Sequence, residues 1–495
     1  MRGYLQNPSF SSQHTTDRIV RGKDLQPFFE PYIKRAAITK RRVNGKVVLF
    51  MPLLRYPASM FESYLDPEQT IRVTYPKDKE DNPLNFRFES YIQAGDPYLP
   101  ELLRKAEGLL ARYEAHPVFG HPFFKEKFLS DIRYAVGIIN GVCRLFETQP
   151  VAAVLLGATN EAAGRALAIM ASRRRIPSIV MQHGVIGREE GFLPVYASRL
   201  AVHGYHEQEW YEGKGVSKKL VHVAGHPRFD IFTTKQTKPR AEVLALAGVD
   251  PGKKTVLVVT NQIRDIAAWK SYIEELMKYP DVNVLIKPHR NEIKTDSLGD
   301  YIALSKRYSR VKLIVDNEIK MNDLLQSMDA VAVELTTVGL EAMLCGVPVL
   351  CLRKTDYSAM NHNYYYERMG EFVGTDSVHI AKKTYAVLRS TDTRNRNLAQ
   401  IKAFLRHAYP VSLGGEALSR LISRLTGKVI RRPAARQYEG RLIKGSAPEI
   451  YYVRHGVKRH ILSQEALASH GFSTKAVRRV DDAVLKQIPP GQLIR

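Results

Sequence analysis

A chain of 495 residues is long for one hydrophobic core and fits two or three domains. Its 44% hydrophobic content can fill such cores, while no apolar run approaches the roughly 20 residues that cross a bilayer. The formal charge of +24 calls for an anionic partner; without a helix-turn-helix, zinc-finger or RNP-like motif beside it, nucleic acid gives way to anionic substrates, polymers or a membrane surface.

Residues 1–35 are polar and broken by Pro8, Pro27 and Pro31, which reads as a flexible arm. Gly45–Met51 is the first strand. Residues 60–125 alternate aromatic pieces with proline turns, and Pro100–Ala115 and Phe128–Thr148 carry apolar residues at helical spacing. Regular alternation starts at the strand Val151–Leu156, followed by the loop Gly157-Ala-Thr-Asn-Glu161 and an alanine-rich helix over Glu161–Arg174. Pro177–Met181 is a strand ending in Gln182-His183-Gly184. Arg199–His203 and Val221–Ala224 follow, the latter running into Gly225-His-Pro-Arg-Phe-Asp230. A polar linker over 235–240 precedes a second series of strands: Thr255–Thr260, Val282–Ile286, Val311–Val315, Ala330–Val333 and Val347–Leu352. Val378–Thr426 is mostly helical.

Strands alternating with helices imply parallel sheets joined by right-handed crossovers. The expected fold class is therefore α/β, with two Rossmann-like domains over 36–234 and 235–428 facing a cleft. After a linker over 429–439 the composition changes. Gly440-Arg-Leu-Ile-Lys444 is echoed by Gly491-Gln-Leu-Ile-Arg495 around a hairpin and one helix, a small α+β module over 440–495. It serves either as a binding accessory or as a stability cap. Cys143, Cys345 and Cys351 sit in apolar surroundings without metal-type spacing, as reduced cytosolic thiols do. Met1–Phe10 lacks the basic start and apolar core of a secretory signal, so a cytoplasmic location is expected.

No phosphate loop of the Gly-x4-Gly-Lys-Ser/Thr type, no Gly-x-Gly-x-x-Gly after a strand, no Asp-x-Asp metal pair and no Gly-x-Ser-x-Gly elbow is present. The chemistry is left to strand-end loops. His183, flanked by Gln182 and Gly184, follows a buried strand at the sheet edge where ligands bind. A neutral imidazole there can take a proton from a hydroxyl, and this is preferred to a role in satisfying a tight turn. In Lys287-Pro-His289, Pro288 directs two donors that can neutralise a phosphate leaving group; alone, an ordinary surface turn is as good a reading.

The unit Asp329–Leu352 reads strand, Thr-Thr-x-Gly turn, helix, turn, strand. Thr336, Thr337 and Gly339 mark a helix start, which is an anion site, and Glu341 can accept from ribose hydroxyls. A capping box from Thr337 would need an acid at 340, which is Leu340, so capping from Thr337 does not explain Glu341. Asn160 and Glu161 form a phosphate-contacting loop or a plain helix start. Arg228 meets a diphosphate or pairs with Asp230. No cofactor and no metal are expected.

Taken in order, Pro-x4-Gln-His-Gly184, Gly225-His-Pro-Arg-Phe-Asp230, Lys287-Pro-His289 and Thr336-Thr-Val-Gly-Leu-Glu341 resemble the GT-B class of bacterial cell-surface polymer transferases. The resemblance runs over about Val151–Val373 and is nearest to CDP-glycerol glycerophosphotransferases and capsule polysaccharide transferases. It implies an acceptor domain over 36–234, a nucleotide-donor domain over 235–428, and a CDP- or UDP-linked donor. His183 would be the general base; His289, Thr336 and Thr337 would hold the donor diphosphate; Glu341 would face the nucleotide sugar. The chain departs from the pattern at His289-Arg290, where these proteins often carry Pro, and at Thr336-Thr337, where they carry Ser-Thr; this weakens the glycerophosphate branch. The last module resembles small repeat domains attached to bacterial envelope proteins.

The expected activity is transfer of a sugar or polyol phosphate to a hydroxyl of a cell-surface polysaccharide or teichoic-acid-like polymer. The acceptor would be an anionic polymer or lipid-linked, and basic patches would hold the protein on the inner face of the membrane. The alternatives are a non-hydrolysing nucleotide-sugar 2-epimerase, which shares the architecture, and a non-catalytic polymer- or membrane-binding protein on the same body.

Overall fold

The computed structural model describes residues 25–33, 38, 44–55, 64–65, 69–74, 85–87, 96–187, 189–233, 238–261, 265–294, 298–316, 318–353, 364–427, 437–454, 457–488, 490–491 and 493–494. Residues 1–24 of the expected arm, residues 235–237 of the 235–240 linker, residues 429–436 of the 429–439 linker and Arg495 lie outside them.

The first sheet contains β1 (Lys46–Phe50), β2 (Thr70–Thr74), β3 (Asn85–Arg87), β4 (Val151–Leu156), β5 (Ser178–Met181), β6 (Arg199–Val202) and β7 (Val221–Val223). Its order is β3-β2-β1-β4-β5-β6-β7, and every pairing is parallel. The near-continuous apolar runs of β1, β4 and β5 suit strands covered on both faces. The second sheet contains β8 (Lys254–Val259), β9 (Val282–Lys287), β10 (Val311–Leu313), β11 (Ala330–Val333), β12 (Val349–Leu352) and β13 (Val373–Gly374). It is parallel throughout, in the order β10-β9-β8-β11-β12-β13.

Some boundaries differ from the sequence reading. The strands β2 and β3 lie in the stretch read as aromatic pieces and turns. The helix expected from Phe128 begins at Pro122, because Pro fits a first turn whose N–H has no intrahelical partner and His121 accepts from the Phe123 amide. Within the expected arm, Leu25–Ile33 is a helix tied to the first domain: the Gln26 side chain donates to the Val195 carbonyl and accepts from the Val195 amide.

Side chains alternate along each strand, so the first sheet carries two cores. One face (Val48, Phe50, Val154, Leu156) packs on Ile138, Val142, Leu145 and Leu167 of its own helices. The other (Val47, Leu49, Ala153, Leu155, Ile179, Met181) is covered by Leu418, Leu421 and Ile422. These three belong to the helix Gly414–Thr426, which ends the second domain in sequence and returns to cover the first. Burial of each contributes about 1.5–3 kcal/mol.

The start of that helix is locked to the Gly225–Asp230 turn. Asp230 accepts from the Gly414 and Gly415 amides at 2.7 and 3.0 Å. The approach is so close that a Cβ on Gly414 would lie 2.5 Å from the His226 carbonyl carbon. The Tyr409 hydroxyl accepts from the His226 amide and donates to the His226 carbonyl. Asp230 is thus a helix anchor, and the ion pair with Arg228 that the sequence allowed is not formed.

The terminal module has a third sheet of β14 (Leu442–Lys444), β15 (Ile450–Arg454), β16 (Val457–Ile461) and β17 (Arg478–Arg479), ordered β16-β15-β14-β17. The hairpin β15–β16 is antiparallel, and Ile494 of the echoed segment bridges Ile461.

Replacing Asp230 with Ala strands two buried amides at the start of the returning helix. The expected loss is about 2–4 kcal/mol, measured by chemical denaturation, with Asp230→Asn recovering part of it.

Candidate functional site between two sheet edges

Each sheet reverses its strand order once, between β1 and β4 in the first and between β8 and β11 in the second. In open parallel sheets the loops leaving such a pair of strands diverge and leave a crevice at the carboxyl edge. The crevice of the first sheet is bounded by the Pro52–Arg55 loop after β1 and the Gly157–Asn160 loop after β4, with Gln182-His183-Gly184 beside them. That of the second is bounded by Thr260-Asn261 after β8 and Glu334–Thr337 after β11, with Pro288-His289 beside them. The two edges meet: the Thr337 hydroxyl oxygen accepts from the Val185 amide at 3.4 Å, and Arg228 donates to Glu341 at 2.8 Å.

His183 is held on two sides. Its Nδ1 lies 3.2 Å from the Gly157 carbonyl oxygen, and its ring stacks on Phe192 with centroids 4.8 Å apart and planes 2° apart. A carbonyl only accepts, so Nδ1 carries the hydrogen and Nε2 the lone pair. Burial first, then the Arg55 charge, lowers its pKa to about 4, with Arg228 adding to the effect and the Gly157 bond opposing it. The imidazole is neutral at neutral pH.

Arg228 reaches three ways. It donates to Glu341, donates to the His183 carbonyl at 3.4 Å, and lies over the Phe229 ring. Glu341 is buried, which raises its pKa, while Arg228 and then Arg55 oppose the rise. On the opposite edge, the His289 amide donates to the buried Glu292 carboxylate, and its Nδ1 accepts from the Asn291 amide. Burial lowers the His289 pKa first; Glu292 opposes this, and Arg55 and Arg290 add to it.

Arg55 is the residue the sequence reading missed. Its field reaches His183, His289 and Glu341, and Arg228 and Arg290 act on it in turn. The residue as a whole is exposed, but its guanidinium is deep enough for burial to be the first cause of its lowered pKa. A signal was available, since it follows the first strand by five residues, the same edge that singled out His183. What the sequence does not display is the left-handed backbone at Leu53 and Arg55, with φ of 62° and 50°.

The remaining candidates divide. Thr336 caps the helix Thr337–Leu344 by accepting from the Val338 amide; since Thr336 and Thr337 each serve as acceptors, their hydroxyl hydrogens remain for an anion. Gly184 lies against Thr337 and Arg55, where a Cβ would come within 3.1 Å of the Thr337 hydroxyl. Gly339 has a structural reason: a Cβ there would lie 2.5 Å from the Tyr366 hydroxyl, which accepts from the Leu340 amide and donates to the Thr336 carbonyl. Lys287 donates to the Asp316 carbonyl at 3.2 Å, and the Arg290 charge reaches it. Glu161 caps the helix Ala162–Arg173, accepting from the Ala163 and Gly164 amides, and the Asn160 carbonyl accepts from Arg165, so the plain helix start describes this loop. Gln182 is 2% exposed and lies behind the turn rather than in the cleft.

Behind the turn lies a polar cluster that the sequence reading also missed. His203 and Glu207 have no exposed side-chain surface, and both face Gln182. Burial lowers the His203 pKa to about 3 and raises that of Glu207 to about 8. Among the described residues, no group of three or more His, Cys, Asp or Glu side chains is arranged to hold a metal ion.

No protein-family model matches the chain. It is similar to two curated proteins named lipid-A-disaccharide synthase. One, from Geobacter metallireducens, is 29% identical over 160 residues, and one from Geobacter sulfurreducens is 30% identical over 162. The matches cover 31% and 32% of this chain, which spans 39% of the length of these relatives. Among solved structures, a proposed UDP-N-acetylglucosamine 2-epimerase from Listeria monocytogenes superposes with a TM-score of 0.51 at 14% identity, over 77% of this chain and 96% of that one. This likeness shows the fold, and the architecture is GT-B. A variant of the wall teichoic acid polymerase TagF aligns more loosely, with a TM-score of 0.46 at 11% identity over 86% of this chain and 98% of that one.

The buried ionisable groups give stability an optimum. His183, His203, His206 and His226 all have pKa values below the ordinary histidine value, burial being the first cause in each. As the pH falls below about 6.5, the unfolded chain takes up protons at these sites that the folded chain refuses, so stability is lost on acidification. Glu207 acts in reverse: its raised pKa stabilises at low pH, and that contribution is lost as the pH rises toward 8. Four histidines outweigh one carboxyl on the acid side. Denaturant titrations are expected to show greatest stability at about pH 7, with Glu207→Gln flattening the fall from there to about pH 8 and steepening the acid limb, because the Glu207 contribution is lost across the whole interval from 4.5 to about 8.

Proposed function

We propose that this protein is a GT-B transferase that moves a sugar or polyol phosphate from a CDP- or UDP-linked donor to a hydroxyl of an envelope polymer or lipid-linked acceptor. The observation that carries the reading is the charge of the cleft. Arg55 is in electrostatic reach of Arg228, of Arg290 and of Glu341, the opposing carboxylate, which leaves two net positive charges among these four groups. That is the complement of a nucleoside diphosphate, held where two switch-point crevices face each other.

In this reading, Arg55 and Arg228 neutralise the donor diphosphate, which departs whole in glycosyl transfer and is cleaved to release a nucleoside monophosphate in polyol-phosphate transfer, and the Thr336 and Thr337 hydroxyls donate to it. His289 faces the same group from the second domain. His183 takes the acceptor proton at Nε2, and the Gly157 carbonyl fixes its tautomer. An imidazole with a pKa of about 4 is a weak base in the empty cleft. A bound diphosphate offsets the Arg55 and Arg228 charges that depress it, so base strength rises when the donor is seated. Arg228 and Glu341 are paired to each other without a ligand; a ribose taking Glu341 would release Arg228 to the diphosphate.

The lipid-A-disaccharide synthases bear on the acceptor, since their name denotes a sugar joined within a lipid. The net charge of +24 favours an anionic membrane surface, and among the described residues no helix is long and apolar enough to cross a membrane. The basic charge alone supports a position at the inner face of the membrane. The epimerase reading is kept because the Listeria monocytogenes neighbour bears that name.

A donor screen separates the readings. Release of CDP, UDP, CMP or UMP that requires an added lipid-linked or polymeric acceptor supports transfer, and the nucleotide released tells glycosyl from phosphoryl transfer. Conversion of UDP-N-acetylglucosamine to its epimer without an acceptor supports the epimerase. With an active donor, His183→Ala is expected to lower kcat by about 10²–10⁴-fold. Arg55→Ala is expected to weaken UDP binding by about tenfold or more in calorimetry, the loss of one charge-assisted contact. Unchanged values in both variants would remove this site assignment.

A further inference from the structure

Three consecutive carbonyls in the Gln182-His183-Gly184 turn are each taken by a side chain. The His203 Nε2–H donates to the Gln182 carbonyl at 3.1 Å, Arg228 donates to the His183 carbonyl at 3.4 Å, and the Gln182 amide donates to the Gly184 carbonyl at 2.8 Å. The same Gln182 amide donates to Glu207 Oε1 at 3.3 Å, and the other Glu207 oxygen accepts from the Gly204 amide at 3.0 Å. We propose that Gln182, His203 and Glu207 form a buried brace that sets the orientation of the His183 imidazole, making His203 and Glu207 positioning residues for the proton transfer assigned to His183. The inference rests on the proposed function only for what His183 does; the brace itself is a matter of geometry.

Capping alone does not account for Glu207. A helix start needs one carboxylate oxygen on Gly204, and that bond is made. The second oxygen is spent on Gln182, although Glu207 has no exposed side-chain surface and a solvated residue would avoid the desolvation. His203 is equally buried. Its Nε2–H points to a carbonyl, so its Nδ1 is an acceptor, 3.5 Å from the Gln182 amide. Gln182 therefore links His203 and Glu207 to the Gly184 carbonyl beyond His183. His203 holds the Gln182 carbonyl and Arg228 the His183 carbonyl, so the two peptide planes that meet at the His183 Cα are fixed and with them its Cα–Cβ direction, and its Nδ1 is delivered to the Gly157 carbonyl while Phe192 supports the ring face.

The test uses the whole chain and a probe that needs no substrate. Diethyl pyrocarbonate acylates an unprotonated imidazole nitrogen, and mass spectrometry gives the rate at His183 alone. Glu207→Gln keeps the side-chain volume, yet it cannot satisfy both Gly204 and Gln182. Gln182→Met removes the centre of the brace at similar size, and His203→Gln restores a donor toward the Gln182 carbonyl. We expect the His183 acylation rate to change by about tenfold in Glu207→Gln and Gln182→Met and by less in His203→Gln, with UDP affinity held within about twofold. With an active donor, kcat is expected to fall about 10- to 100-fold in the first two variants at nearly constant donor KM. If either folded variant shows wild-type His183 reactivity and wild-type kcat, the brace is not a positioning device. Should His183→Ala itself retain turnover, the role of His183 is refuted while its reactivity still judges the brace.

Discussion

The helix Gly414–Thr426 belongs to the second domain in sequence and to the first in space. Its Leu418, Leu421 and Ile422 close one core of the first sheet, and Asp230 of that domain holds its first two amides. Leu and Ile side chains left in water at this face would forfeit several kcal/mol, so the two sheets cannot drift apart without exposing them. This return fixes how the two carboxyl edges confront each other, and the crossing contacts, Thr337 to Val185 and Arg228 to Glu341, follow from it. The turn that supplies Asp230 also supplies Arg228, so the anchor and the cleft lie two positions apart in the chain.

The cleft concentrates like charge, which a folded protein ordinarily avoids. Three arginines are tolerated because one buried carboxylate faces them and because the nearby histidines stay neutral. Burial and the arginine charges act in the same sense on each imidazole. The result is a cleft with net positive charge beside an imidazole that is neutral at neutral pH. The transferase reading draws on that pairing more than on the likeness to any one relative, since the curated matches reach over less than half of those proteins.

The sequence exposed the site through one regularity: polar residues directly after apolar strands. His183, His289 and the Thr336–Glu341 segment were found this way, and the structure gathers His183, Arg228, Thr337 and Glu341 at the facing edges. The same rule applied to β1 would have reached Arg55. Lys287 and Glu161 satisfy the rule equally well, yet one turns to Asp316 and the other caps a helix. Position along a strand tells which edge a residue occupies, but its rotamer depends on neighbours from other strands. Glu207 was invisible for a related reason, because a glutamate in a helix start reads as an ordinary surface residue until burial is known, and His203, although it follows β6 directly, was passed over as the end of that strand.

The sequence by itself determined the architecture. Apolar runs of strand length alternating with amphipathic segments admit few arrangements other than two parallel sheets, since each run must bury both faces and each crossover has one favoured hand. It also determined which loops leave the carboxyl edges. Only the tertiary structure decided which residues meet. The partner of Arg228 is Glu341, 113 positions away, and not Asp230, two positions away, because Asp230 is claimed by two amides of a helix nearly two hundred residues downstream. Hydrogen bonds and charges act over a few ångströms of space, and separation along the chain carries no information about that distance once strands from different parts of the sequence are neighbours.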